Sequence, residues 1–254
     1  MKITRAVVPS LFTTLNIFCG LLSIISAHQN QVEMAAWFII LAAIFDSLDG
    51  VMARITRSSS QFGVELDSLA DVVSFGAAPS FLVFQIHLST IQTWGVLISA
   101  MPLIFGAIRL ARFNVQLVGF DKSHFTGLPI PMQAITICAF ILQYYTLGFG
   151  ISGFPREMLA PLVIILSLLM VSRVKYDTLP KFTRRDLRAH PWKAVGVVLG
   201  ALIVVFSKGE YLFAVLAAFI GWGILRSIYH WLKGYSVDGE KESEEDAEIS
   251  RIDI

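Results

Sequence analysis

Runs of about twenty apolar residues broken by short polar turns recur along the whole chain. A membrane-crossing helix needs roughly 20 mostly apolar residues. The pattern predicts eight spans, at 11–27, 33–53, 64–84, 92–110, 129–147, 157–172, 193–207 and 210–232. Some of these are short, which leaves a count of six or seven open. The polar turn "SSSQFG" (58–63) ends in glycine and is short enough to make spans two and three antiparallel neighbours. "GLPIPM" (127–132) forms a stiff lead-in to span five, because proline in a first helical turn gives up no needed hydrogen bond. The expected fold is an all-α, polytopic bundle over 1–232, followed by a short tail at 233–254.

Composition sharpens this into a compartment. Of 254 residues, 55% are hydrophobic and 15% charged, against roughly 25% charged in an ordinary soluble domain. Met1–Pro9 carries Lys2 and Arg5 but runs into a full-length span without a small-residue cleavage site, so no cleavable signal peptide is expected. Basic residues gather on cytoplasmic loops. With eight spans, one side holds all of the 20 lysines and arginines except Arg156 and Lys208. That predicts both termini, and the turn around Ser58, on the cytoplasmic side of a cytoplasmic (inner) membrane. The tail "DGEKESEEDAEISRIDI" from Asp238 is acidic and poor in apolar residues, and disorder is expected there. The basic stretch 175–193, with Phe182, Leu187 and Trp192, reads as a positive-inside loop or as a segment lying on anionic headgroups. Cys19 and Cys138 fall within spans and form no close pair, which argues for packing rather than a disulfide or thiolate metal site.

One stretch departs from this apolar background. "FDSLDGVMARITRSSSQFGVELDSLAD" (45–71) places Asp46, Asp49, Glu65, Asp67 and Asp71 in or beside two spans. Asp46 and Asp49 are i,i+3 on span two, and Asp67 and Asp71 are i,i+4 on span three, so each pair shares a helix face. Counted from Ser58, Asp49 and Asp67 are nine residues away, and Asp46 and Asp71 twelve and thirteen. At about 1.5 Å of rise per residue the cross-hairpin partners stand at similar depth, so four acids can converge on one pocket. One aspartate at the centre of a span costs roughly 2.5–3.5 kcal/mol, less near the interface, and neighbouring like charges add repulsion. A cation must compensate. Arg54 and Arg57 are candidates at the turn, while an all-oxygen cluster suits Mg²⁺, Mn²⁺ or Ca²⁺, with room for two ions. Paired divalent ions serve phosphoryl chemistry. Gly50 and Gly63 permit close approach of a bulky ligand, and Arg54 can pair with phosphate oxygens.

These residues match D-x2-D-G-x2-A-R-x8-G-x3-D-x3-D at Asp46, Asp49, Gly50, Ala53, Arg54, Gly63, Asp67 and Asp71 without a departure. The pattern resembles the signature of the CDP-alcohol phosphatidyltransferases. "PSLFTTLNIFCG" (9–20), "DVVSFGAAPS" (71–80), "RLARFNV" (109–115) and "FTGLPIPMQA" (125–134) resemble the bacterial and archaeal membrane-integral phosphatidylserine synthases in particular. The resemblance covers roughly 5–135 and implies a transmembrane catalytic domain in which an alcohol displaces CMP from CDP-diacylglycerol. It implies that Asp46, Asp49, Asp67 and Asp71 ligate divalent metal, Mg²⁺ or Mn²⁺, as two ions. It makes Asp71 the general base, and places Gly50, Ala53, Arg54, Gly63 and Asn16 around the CDP moiety. The implied partners are CDP-diacylglycerol, L-serine, membrane lipids and a second copy in a homodimer.

Other readings stand beside this one. The acids can form an ion-pair network with Arg54, Arg57 and Arg112, or mark a cation pathway, which would spread them through the membrane rather than confine them to one hairpin. Another alcohol, glycerol 3-phosphate or an inositol phosphate, can replace serine. Arg109, Arg112 and Asn114, at the end of span four, either grip the acceptor carboxylate or a lipid phosphate, or simply anchor the helix end. Glu65 lies outside the pattern and reads as solvated or as backing the site's ligands, and His124 reads as a loop residue near the acceptor site or an incidental one.

Overall fold

The computed structural model describes residues 7–56, 61–118, 127–145, 150–172, 174 and 211–232. All regular elements among them are helical: α1 (Val7–His28), α2 (Val32–Thr56), α3 (Gln61–Asp71), a π-turn (Val72–Ala77), α4 (Ala78–Ile86), a 3₁₀ turn (Leu88–Ile91), α5 (Gln92–Val118), α6 (Ile130–Tyr144), α7 (Phe154–Val171) and α8 (Leu212–Leu232). Six helical runs are long and apolar enough to cross a membrane: α1, α2, the continuous run from α3 through α4, α5, α7 and α8. The span expected at 129–147 is α6, which is shorter at 15 residues. The span expected at 193–207, the basic stretch 175–193, Arg57, His124 and the tail lie outside the described residues.

The first hairpin shows how the chain turns. Asn30 has a φ of 60°, a left-handed conformation that asparagine tolerates better than most residues. Its N–H donates to the Ala27 carbonyl at 3.0 Å, and that of Gln31 to the Ser26 carbonyl at 2.8 Å. These two bonds satisfy the orphan carbonyls that end α1 and reverse the chain into α2. Between the helices, Ala27, Ala35, Ala36, Ala42 and Ala43 are buried, and small side chains let helices approach closely where lipid supplies no hydrophobic drive. Leu11, Phe18, Leu21 and Ile25 are exposed along the opposite side of α1, as a lipid-facing stripe requires. Cys19 and Cys138 are free and buried, as packing residues.

The third span is not a uniform helix. Pro79 has no N–H and its ring would clash with the carbonyl four residues earlier, so the ladder slips: Ala78 donates to the Val73 carbonyl, five residues back. The resulting π-turn starts immediately after Asp71. Spans two and three also differ from a plain antiparallel pair. Among the described residues α2 packs on α1, α6 and α4, while α3 packs on α1 and the π-turn. The hairpin is therefore closed at its α4 end and held by α1 at its α3 end, where the carboxylates lie.

The N-terminal side of α6 is fixed by backbone. Gly127 has a φ of 87°, reachable without strain only by glycine. Its N–H donates to the Val174 carbonyl at 2.8 Å, and Leu128 donates to the Leu169 carbonyl at 3.0 Å. Pro129 and Pro131 then start the helix, as the stiff lead-in predicts. α8 begins beside the far end of α6, with Phe213 edge-on to Phe140 at 5.1 Å.

Candidate active site

The membrane-crossing helices bring the acids of the motif together at the end of the bundle where α2 finishes and α3 starts. Carboxylate oxygens of Asp46, Asp67 and Asp71 all lie within 4.8 Å of one another, which brings Asp46 of α2 beside Asp71 of α3. The depth matching predicted across the hairpin is realised for that pair. Asp71 is 7% exposed and Asp49 8%. Asp49 stands outside the trio and accepts a hydrogen bond from the Thr13 hydroxyl of α1. Asp71 is approached from the same helix by the Asn16 carboxamide, 3.5 Å from Oδ1.

Three carboxylates packed this tightly repel one another, and a cation between them relieves that repulsion. Their donor set is entirely hard oxygen, which fits a small divalent ion such as Mg²⁺ or Mn²⁺. Asp46, Asp67 and Asp71 are the side chains placed to hold one.

A cavity of about 150 Å³ opens beside the trio, lined among others by Asp67, Ser68, Asp71, Arg109, Asn114 and Ile130. That is roughly ten times the volume one water molecule needs, room for a small polar substrate. The Arg109 Nε is buried and has no hydrogen-bond partner among the described residues, and Arg109 shares the cavity with Asp71. Asn114 donates to the Ser68 hydroxyl at 3.0 Å, tying the end of α5 to α3. Ser68 in turn donates to the Val64 carbonyl at 3.0 Å.

Several sequence-predicted residues fall elsewhere. Arg112 is exposed and does not line the cavity. Glu65 is exposed, in line with a solvated residue outside the motif. Gly50 and Gly63 stand on α2 and α3 near the trio's end of the bundle, Gly50 exposed and Gly63 half-buried. Ala53 and Arg54 belong to the last turns of α2, and their side chains lie outside the described part of the structure. Thr13 and Ser68 were missed by the sequence reading. Thr13 had a signal, since it sits three residues before Asn16 and so on the same face of an otherwise apolar span.

Comparison with known proteins gives the family. A model of the family described as CDP-alcohol phosphatidyltransferase matches residues 6–172, which contain every residue of the carboxylate cluster. The chain is 37% identical over 226 residues to a CDP-diacylglycerol–serine O-phosphatidyltransferase of Helicobacter pylori (strain J99), covering 89% of this chain and 92% of the relative. It is 33% identical to a Bacillus subtilis protein of the same name, over 73% of this chain and 98% of the relative. An archaetidylserine synthase of Methanothermobacter thermautotrophicus is 38% identical over 69% of this chain and 72% of its own length. With the motif complete, its acids gathered at one end of a transmembrane bundle and the family model spanning most of the helices, this chain is an enzyme of the CDP-alcohol phosphatidyltransferase family.

Proposed function

We propose that the protein transfers the phosphatidyl group of CDP-diacylglycerol to the hydroxyl of L-serine, giving phosphatidylserine and CMP. The observation that carries this reading is the placement of Asp71: it belongs to the carboxylate trio and also lines the cavity that holds Arg109. A group that takes a proton from an acceptor hydroxyl must reach both the acceptor and the reacting phosphorus. Asp71 sits at that junction. The names of the relatives supply the acceptor.

In this reading the serine hydroxyl gives its proton to Asp71 as its oxygen bonds to the phosphatidyl phosphorus, and the bond to the CMP oxygen breaks. Asp46, Asp49, Asp67 and Asp71 supply the metal site, with Asp49 held in place by Thr13. Divalent ions held there would neutralise pyrophosphate oxygens and stabilise the leaving CMP. Gly50, Ala53, Arg54 and Gly63 border the CDP moiety, and Arg109 receives the serine carboxylate through charge-assisted hydrogen bonds. The trio's end of the bundle faces the cytoplasm in the inner membrane, because Arg54, Arg109 and Arg112 lie at that end and Arg156 at the other. The functional unit is a homodimer, by likeness to the family.

Competition among acceptors tests the proposal. Purified protein in vesicles containing CDP-diacylglycerol, with Mg²⁺ or Mn²⁺, is offered L-serine, glycerol 3-phosphate and inositol phosphate together, and the lipid products are identified by mass spectrometry. Phosphatidylserine as the dominant product is expected. A different headgroup on the product lipid overturns the acceptor assignment and leaves the chemistry.

A further inference from the structure

The π-turn behind Asp71 is joined to α1 by more than packing. Ser74, its third residue, is fully buried and donates to the backbone carbonyl of Asn16 at 2.8 Å. One turn further along α1 stands Gly20, where a Cβ would fall 2.9 Å from the Ser74 Cα. Real side chains do not come this close to backbone, so α1 and the π-turn are in direct main-chain contact. Pro79 is what puts Ser74 there, since the slip of the ladder it forces sets the rotation of the π-turn.

Asn16 is fully buried, its Oδ1 has no hydrogen-bond partner among the described residues, and its Nδ2 is directed at Asp71 Oδ1 at 3.5 Å. With so little holding the carboxamide itself, its aim depends on where the α1 backbone stands. We propose that Ser74 is a positioning residue: by gripping the Asn16 carbonyl against the π-turn, it sets the Asn16 carboxamide beside Asp71 and thereby orients the carboxylate that receives the acceptor proton. This rests on Asp71 being the general base. A carboxylate whose amide partner stands 3.5 Å away is sensitive to shifts of a few tenths of an ångström, and small displacements of a reacting group cost rate.

The test is a mutant cycle on the full-length enzyme in vesicles, at saturating CDP-diacylglycerol, L-serine and Mg²⁺. Ser74→Ala is expected to lower kcat about five- to tenfold while KM for both substrates changes by less than about twofold. Gly20→Ala, which pushes the same contact apart, is expected to do likewise and carries the comparison where Ser74→Ala does not fold. Ser23→Ala removes another buried hydroxyl of α1, one with no partner among the described residues, and is expected to leave kcat unchanged. In an Asn16→Ala background the Ser74→Ala loss should shrink to less than about twofold, because residues acting as one unit are not additive. A wild-type kcat in both Ser74→Ala and Gly20→Ala, or an undiminished loss in the Asn16→Ala background, overturns the proposal. Asp71→Asn is measured alongside. Substantial turnover there refutes the base assignment itself, whereas an inactive Asp71→Asn with additive Ser74 effects refutes only the positioning role.

Discussion

Replacing Asp71 with asparagine separates chemistry from architecture, because the two side chains have the same shape and differ in the capacity to take a proton. The position is 7% exposed and neighbours Asp46 and Asp67 within 4.8 Å. Removing one negative charge from this group relieves repulsion, so the melting temperature should hold or rise. General base catalysis contributes about a hundred- to ten-thousandfold, or about 2.7–5.4 kcal/mol of barrier at roughly 1.36 kcal/mol per tenfold. The expected result is therefore a well-folded variant that binds CDP-diacylglycerol and loses kcat by at least about a hundredfold. Steady-state CMP release reads kcat, equilibrium binding of the labelled lipid nucleotide reads affinity, and titration to saturating Mg²⁺ removes any effect on ion affinity. A folded variant that keeps kcat within about tenfold of wild type at saturating metal would falsify the base assignment.

Three further outcomes follow from the same geometry. Arg109→Ala should raise the KM for serine about ten- to a hundredfold, the worth of a hydrogen bond to a charged group, and Arg112→Ala, exposed and outside the cavity lining, should change it far less; equal effects from the two would remove Arg109 from the acceptor site. Thr13→Val leaves the buried Asp49 carboxylate without its hydroxyl donor and should destabilise the protein by about 1–3 kcal/mol in denaturation experiments, whereas unchanged stability would show that Asp49 finds another partner. At the opposite end of the bundle, burial and then the Arg156 guanidinium hold the His87 imidazole below its ordinary range, with Arg156 Nε donating to His87 Nδ1 at 3.0 Å. The folded state resists protonation there, so this contribution to stability is complete above the unfolded pKa of about 6.5 and is lost as pH falls through the lower folded value; Arg156→Ala should move the His87 titration upward by NMR, and an unmoved titration would leave burial as the sole cause.

Much of this was legible in the chain because a membrane makes two signals loud. Apolar length located α1, α2, the α3–α4 span, α5, α7 and α8 to within a few residues at most ends, since each must bridge the same hydrocarbon thickness. Carboxylates inside such spans stand out by their cost, and their spacing predicted that Asp46 and Asp71 stand at one depth, where they meet. What stayed hidden depends on rotation rather than length. Arg109 and Arg112 are three residues apart and look equivalent in the sequence, but only Arg109 turns into the cavity. Thr13, Ser68 and Ser74 carry hydroxyls that a hydropathy pattern passes over, and their roles emerge only when α1, α3 and α5 are set side by side. The π-turn had its cause in plain view at Pro79. Its consequence, a rotation that seats Ser74 on α1, needed the neighbouring helix to become visible.

The central claim is that this cluster moves a phosphatidyl group to serine, and the most direct measurement is CMP release from CDP-diacylglycerol by the purified protein, with Mg²⁺ or Mn²⁺, in the presence and absence of L-serine. The account predicts CMP release that depends on both serine and the divalent ion, matched mole for mole by phosphatidylserine. No CMP release with serine, from protein shown to be folded and able to bind CDP-diacylglycerol, would contradict it.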